Sequence, residues 1–521
     1  MANIPRILWA DDEFELLKPH VLFLESKGYN VVGVTNGADA VEKIREERFD
    51  LVFLDEQMPG MGGLEALGEI KTFVPDIPVV MITKSEEESL MEDAIGGQIA
   101  DYLIKPVKPN QILLTCKKLL DGRVLQEEKA AQTFLQSFGR ISTTLNDELS
   151  HQEWVEVYQE LVRYDMQLEG DDGARQILDD QLRNAQTAFG RWVEANYEDW
   201  IEYAQTPPDE HRPILSHEVM PQFVFPLLEE QKPVFFFLID CMRYDQWLEF
   251  ERLLYPLFEM EKQFHYAILP TATPYARNAI FSGLLPIDMA KRFPTQWADA
   301  EENENSKNLN EELFLQDLLK RHRLSPKTRY EKIVNGNEGR ELLKNIRSYA
   351  KNELSAIVVN FVDILAHSRS DSNVLKEIAP DERAYRALTR TWFTHSWLFQ
   401  MFQELAMMDC TVVITSDHGS VRSLRDTKVI GDRSTSTSLR YKHGRNLKSD
   451  LRHSIFVKDP KRYGLPPGGL NTNYIIAKED YYFVYPTNYH HYQHHYWDTF
   501  QHGGASLQEM ILPVIRMKSK K

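Results

Sequence analysis

The chain has 521 residues, 42% of them hydrophobic and 26% charged, with a formal net charge of −18. That balance excludes a disordered chain and a global basic field that would draw the protein to DNA or an anionic membrane. The three cysteines, Cys116, Cys241 and Cys410, are far apart and odd in number, which argues against a disulfide framework and for a reducing compartment. The N-terminus has no basic stretch leading into a long apolar one, and no apolar run reaches the roughly 18 residues of a spanning helix, so a cytoplasmic protein is expected.

From the N-terminus, short apolar strands alternate with amphipathic helices. RILWA, NVVGV, DLVFL, IPVVMIT and DYLIKP read as strands. The helices between and after them run to about Lys27, then over ADAVEKIREE, GLEALGEIKTF, EEESLMEDAIGG and PNQILLTCKKLL. Five such units predict one α/β domain with a doubly wound parallel sheet over residues 1–122. Ligands of such folds sit at the carboxyl ends of the strands. There the sequence has Asp11 and Asp12, Asp55, Thr83, and Lys105 before Pro106. Three carboxylates meeting at one point repel unless a cation joins them, and clustered carboxylate oxygens suit Mg2+.

These residues, in this order, resemble the response-regulator receiver family over residues 4 to about 120. The resemblance implies a flavodoxin-like fold and a phosphoryl group accepted by Asp55 from a cognate sensor histidine kinase. It implies Mg2+ held by Asp12, Asp55 and the backbone carbonyl of Gln57, with Asp11 acting behind them. Thr83 and Lys105 would contact the phosphoryl oxygens, and Tyr102 would be the aromatic switch.

Residues 123–207 are charged and periodic, with Trp154, Val155, Tyr158, Leu161 and Val162 at helical spacing. They read as a helical bundle or linker, either a transmission element or a spacer, with a break at Gly170-Asp171-Asp172-Gly173.

A second α/β pattern fills residues 208–521 after Pro207-Pro208. KPVFFFLID ends in Asp240, the apolar run before DILAH ends in Asp363 with His367 four residues on, and CTVVITSDHGS ends in Asp417-His418. ILPTATPYARNAIFSGLLP carries Thr271 and Thr273 ahead of a helix, and FQHGGASLQEMILP carries His502. Open α/β sheets gather strand ends on one edge, so these groups are expected to converge. Mixed Asp/His ligands in that number suit two zinc ions, each with an open position for chemistry. Two such ions about 4 Å apart clamp the attacking and leaving oxygens of phosphoryl transfer, and Thr271 or Thr273 would supply the nucleophile. Mn2+ would accept the same ligands. Arg277 and the stretch Tyr441–Arg445 offer phosphate contacts, the latter equally well read as an exposed loop. The four histidines of YHHYQHHYW (489–497), His490, His491, His494 and His495, suit a metal and equally suit a strand-and-turn surface beside the site, with Tyr492 and Trp497 available to stack on bases.

The terminal Asp of the first strand, the DxxxH pair, the DHG motif and the late His of HGG resemble the alkaline phosphatase superfamily, and more closely its PglZ branch. In related phosphodiesterases and sulfatases the nucleophile is followed four residues on by Arg in some members and ten on by Gly; Thr273 meets both spacings with Arg277 and Gly283, and Thr271 meets neither. The resemblance therefore implies Thr273 as nucleophile, one metal held by Asp240, Thr273, Asp417 and His418, and a second by Asp363, His367 and His502. A receiver, a helical middle and a PglZ domain in this order resemble the PorX-type response regulators linked to type IX secretion in Bacteroidetes. That implies phosphodiesterase activity on nucleotide or oligonucleotide substrates, cyclic or linear; phosphorylation at Asp55 is expected to shift the receiver between two states and promote dimerisation. The alternative from a different class is an interaction output that binds a membrane-associated secretion component or a sigma factor. No basic recognition helix is evident, so sequence-specific DNA binding is not expected.

Overall fold

The computed structural model describes residues 4–74, 77–84, 99–168, 172–204, 206–209, 211–297, 309–432, 438–467 and 472–521. The helix expected over EEESLMEDAIGG lies outside the described residues, as do Gly170 and Asp171 of the expected break. The chain forms two compact units, Met1–Phe134 with Gln167–Asp171, and Leu135–Met166 with Asp172–Lys521.

In the first unit, β1 (Arg6–Ala10), β2 (Asn30–Val34), β3 (Leu51–Asp55), β4 (Val79–Thr83) and β5 (Asp101–Ile104) form a parallel sheet in the order β2-β1-β3-β4-β5. Helices α1 (Lys18–Glu25), α2 (Gly37–Glu46), α3 (Gly63–Phe73) and α4 (Pro109–Cys116) cover it. Every residue of β3 is buried, which is why LVFLD reads as a continuous apolar run rather than an alternation. Ala40, Val41 and Ile44 of α2 and Ala66, Leu67 and Ile70 of α3 pack on one face of the sheet. Leu24 of α1 and Ile112 and Cys116 of α4 pack on the other. Asn36 starts α2, its side chain accepting from the Asp39 N–H at 2.9 Å. This is the doubly wound α/β fold expected.

Helix α5 (Gly122–Thr144) carries the chain out of this unit, and α6 (His151–Gln167) and α7 (Asp172–Glu202) follow. The apolar positions of α6 and α7 are spent on the second unit. Trp154 meets Phe189 edge-on at 5.2 Å, and Trp200 meets Tyr266 at 5.8 Å. The Leu269 N–H donates to the Tyr197 hydroxyl at 2.8 Å, and the Tyr266 hydroxyl donates to the His151 carbonyl at 2.6 Å. These two helices are part of the second unit's core.

In that unit, β6 (Val234–Ile239), β7 (Phe258–Tyr266), β8 (Thr328–Ile333), β9 (Leu354–Val359) and β10 (Thr411–Thr415) precede three small sheets. β11 (Val421–Ser423) pairs with β17 (Thr499–Gln501), and β12 (Arg425–Lys428) with β16 (Tyr481–Val484); β13 (Tyr441–Gly444), β14 (Ser454–Val457) and β15 (Asn473–Ala477) form the third. With β18 (Ile511–Ser519), the large sheet runs β7-β18-β10-β6-β9-β8. β10, β6, β9 and β8 are parallel, so their carboxyl ends share one edge. All residues of β6, β9 and β10 are buried.

Three local expectations are corrected. β9 stops at Val359, and Asp363 and His367 lie on helix α9 (Phe361–Asp371), which follows α8 (Thr273–Ser282) in the site. The apolar Phe361 and Val362 that suggested a longer strand are the first residues of that helix. YHHYQHHY forms helix α10 (Tyr489–Tyr496), not a strand and turn. The Tyr441–Gly444 stretch is strand β13 with Tyr441 and Lys442 buried, not an exposed loop. Among the described residues, no helix is long and apolar enough to cross a membrane.

Candidate functional site

The receiver-like unit gathers its acids where β1 and β3 end. Asp11, Asp12 and Asp55 bring carboxylate oxygens within 4.8 Å of one another. Lys105, just past β5, reaches both Asp11 Oδ2 and Asp55 Oδ2 at 2.9 Å. Burial raises the Asp55 pKa; the Lys105 ammonium works against that shift, and Asp11 and Asp12 add to it. Thr83 closes β4, its hydroxyl donating to the Glu56 carboxylate. Tyr102, on β5, is 43% exposed. Gln57 stands two residues beyond β3. Three convergent carboxylates with one exposed, Asp12, form an oxygen-rich group that fits Mg2+.

The second unit assembles its site on the shared edge of β6, β9 and β10. Asp240 follows β6 directly, and the chain turns there through Cys241 at φ +64°. That turn aims the Cys241 N–H at Asp417 Oδ1, 3.3 Å away. Asp417 and His418 follow β10, with the Ser416 hydroxyl donating to the His418 carbonyl at 2.7 Å. Gly419 completes this motif because a Cβ would lie 1.9 Å from the Gln508 carbonyl oxygen. Asp363 and His367 share a face of α9 at i,i+4, Nε2 to Oδ1 3.4 Å. His502 follows β17, whose pairing with β11 lays it beside the DHG turn, and its ring stacks on His418 at 4.3 Å.

Two groups result: Asp240, Asp417 and His418, and Asp363, His367 and His502, each with ligand atoms within 4.8 Å of one another. Among the described residues, Asp240 Oδ1 and His502 Nδ1 are buried without a hydrogen-bond partner. Asp363 Oδ1 is likewise buried; its neighbours are the imidazole nitrogens of His367 at 3.4 Å and His502 at 3.7 Å. Buried polar atoms in native proteins are almost always satisfied, so these donor atoms fit metal ions. Burial raises the Asp240 pKa, Arg277 opposing it. Asp363 is held well below the usual carboxylate range because the histidines outweigh its burial. Burial, reinforced by His418, lowers His502 to about 3, the neutral form a metal requires.

The two threonines separate. Thr271 is buried, donating to the Gly504 carbonyl at 2.7 Å and accepting from the Gly503 N–H at 3.2 Å, so it holds the loop that carries His502. Thr273 is the first residue of α8, and its Oγ1 lies 3.0 Å from His418 Nε2. His418 Nδ1 faces the Gly419 carbonyl at 3.1 Å, which only accepts, so Nδ1 carries the proton and Nε2 presents its lone pair to Thr273. Gly283 is the left-handed cap that ends α8, at φ +58°.

Arg277 was expected at substrate phosphate, but it is only 1% exposed. Its guanidinium pairs with Asp240 and with Asp417 Oδ2, the latter at 2.9 Å, and lies 3.8 Å from Glu311. It therefore faces the carboxylates rather than solvent. Glu311 in turn accepts from Lys332 at 2.8 Å. Glu311 and Lys332 carry no motif spacing to Arg277, and only the fold, which buries Glu311 beside it, shows them.

Residues 219–517 match the family described as BREX system PglZ alkaline phosphatase-like domain. Residues 7–117 match the response regulator receiver domain and residues 124–201 the PorX response regulator linker domain. The transcriptional regulatory protein ZraR of Klebsiella oxytoca is 37% identical over 135 residues, 26% of this chain and 30% of the relative. The transcriptional regulatory protein ResD of Bacillus subtilis is 32% identical over 119 residues, 23% of this chain and 49% of the relative. The chain thus spans less than half the length of either. The crystal structure of a response regulator receiver domain protein (CheY-like) from Methanospirillum hungatei JF-1 is 28% identical, covers 23% of this chain and 96% of its own, and has a TM-score of 0.23.

Proposed function

This two-component response regulator belongs to the PglZ alkaline phosphatase-like family, and we propose that its output domain is a zinc-dependent phosphodiesterase with Thr273 as nucleophile. The observation that carries this reading is the Thr273 hydroxyl 3.0 Å from His418, at the edge where two Asp/His groups meet. Asp240, Thr273, Asp417 and His418 would hold one ion and Asp363, His367 and His502 the other. When bound, the two ions supply a Lewis-acid clamp for the attacking and leaving oxygens.

The chain's own residues do the rest. The start of α8 fixes Thr273 with its Oγ1 3.0 Å from His418 Nε2, so the two atoms stand side by side where one ion would take both. The Thr273 Oγ1–P bond forms as the bond from phosphorus to the leaving oxygen breaks, and the hydroxyl proton ends on that oxygen, which departs as an alcohol. Water then cleaves the phosphothreonine ester, returning the hydroxyl and releasing the monoester. Arg277 positions Asp240 and Asp417 rather than touching substrate. The substrates in this reading are nucleotide or oligonucleotide phosphodiesters.

In the receiver, a sensor histidine kinase would phosphorylate Asp55, with Mg2+ held by Asp12, Asp55 and the Gln57 carbonyl. Phosphorylation biases a two-state equilibrium toward a homodimer with altered output, in the service of type IX secretion. The cysteines Cys116, Cys241 and Cys410 are free and buried, which supports a cytoplasmic setting.

The test strips the protein with chelator, restores zinc, and follows bis(p-nitrophenyl) phosphate beside p-nitrophenyl phosphate in wild type and Asp363→Asn. Zinc-dependent diester turnover that collapses in the variant supports the reading. Undiminished turnover after chelation, or none in the zinc-loaded wild type, overturns it. Beryllofluoride with Mg2+ should shift both sedimentation and rate; no shift in either would break the proposed coupling.

A further inference from the structure

The fold leaves one chemically pointed motif unused by the reaction, the histidines of YHHYQHHY. Their arrangement becomes definite only because the segment is helical. α10 is fastened to the unit along one face. The Tyr489 hydroxyl and Gln493 Nε2 both donate to the Asp426 carboxylate, the latter at 2.8 Å, and the Tyr482 hydroxyl donates to the Gln493 carbonyl at 2.8 Å. Tyr489, Gln493 and Tyr496 are the half-buried positions of the helix. At 100° per residue, His490, His494, His491 and His495 then fall in one arc of about 140° on the opposite side. All four are exposed. The rings of His491 and His495 lie parallel, 7° apart in plane, with centroids at 6.2 Å.

We propose that this face of α10 is a transition-metal site outside the reaction centre, with His491 and His495 as its bidentate pair and His490 and His494 as a second pair on the next strip. Histidines at i and i+4 on one helical face place two imidazole nitrogens where a single ion can take both. The ligand set is all nitrogen. Asp426, the acid beside the helix, is engaged by Tyr489 and Gln493 on the inward face. Neutral imidazoles without carboxylates select Zn2+, Ni2+ or Cu2+ and discriminate against Mg2+ and Ca2+. That composition sets this face apart from the Asp/His groups on the sheet edge. An ion across the pair also cross-links successive turns of a helix too short to be stable alone.

The site is tested on the untagged full-length protein, stripped with chelator and held in Mg2+ to saturate the receiver. Zn2+ equivalents retained after equilibrium dialysis are counted by elemental analysis for wild type, for His491→Ala/His495→Ala, and for Asp363→Asn/His502→Ala. The helix variant should lose one equivalent relative to wild type, and the loss should add to that of the sheet-edge variant. It should also elute earlier from nickel-charged resin. Its thermal transition in chelator should match wild type, because both side chains are exposed. Equal zinc content and equal nickel retention in wild type and helix variant would overturn the proposal. So would an extra equivalent that disappears only with Asp363 and His502.

Discussion

Arg277→Met removes the guanidinium that lies between Asp240 and Asp417 while keeping much of the apolar stem. Without a metal, that leaves two fully buried carboxylates without the cation that paired them. Breaking a buried ion pair by deleting one partner costs about 3–5 kcal/mol. At a urea slope of about 3 kcal/mol per molar, the midpoint of the second unit should fall by roughly 1–2 M. A bound ion supplies positive charge to the same carboxylates, so zinc should recover at least half of the loss through its preferential binding to the folded state. The assay is urea unfolding followed by tryptophan fluorescence, with chelator and with zinc. An unchanged midpoint in chelator would refute the claim that Arg277 compensates these acids. An equal deficit in both conditions would refute the claim that the ion shares its role.

Thr271→Val should destabilise the second unit by about 1–3 kcal/mol, since the Gly503 and Gly504 backbone groups lose their buried partner; an unchanged unfolding midpoint contradicts this. Burial holds His265 down to about 4, below its unfolded value. Such a base takes up a proton on unfolding, so its contribution is intact above the unfolded pKa near 6.5 and is lost as pH falls toward the folded one. Between pH 7.5 and 5 the loss is about 2 kcal/mol, and His265→Gln should flatten the stability profile by that amount. Parallel profiles for the two proteins would rule this out. Asp55→Asn should abolish acid-labile phosphate after incubation with acetyl phosphate, read by phosphate-affinity electrophoresis. Labelling that persists would move the acceptor elsewhere.

Much of the fold and most of the candidate site are legible in the sequence. The receiver sheet announced itself because β1 and β3 are buried on both faces and therefore continuously apolar, and because its acids stand at strand ends. The same reasoning located Asp240 and Asp417 after β6 and β10. It misplaced Asp363, because a helix beginning Phe361-Val362 directly after a buried strand offers no polar punctuation at the boundary. The histidine segment was misread for a related reason. Its helical form is set by tertiary anchors, Asp426 and Tyr482, which local spacing does not reveal. Motif spacing marked Arg277 but not its task. Only the fold shows that its charge is met by Asp240, Asp417 and Glu311 from three other places in the chain. The allocation of α6 and α7 to the second unit also lay beyond sequence pattern, which shows an amphipathic face but not what it packs against.

The measurement that tests the central claim most directly is phosphodiester turnover by the zinc-loaded wild type, Thr273→Val and Thr271→Val, with metal content verified in each. Thr273→Val should lose at least 1000-fold in diester turnover, on the order of 4 kcal/mol of barrier, while folding as stably as wild type. Thr271→Val, once folded and loaded, should keep measurable turnover. Wild-type rates in a zinc-loaded Thr273→Val would contradict the claim.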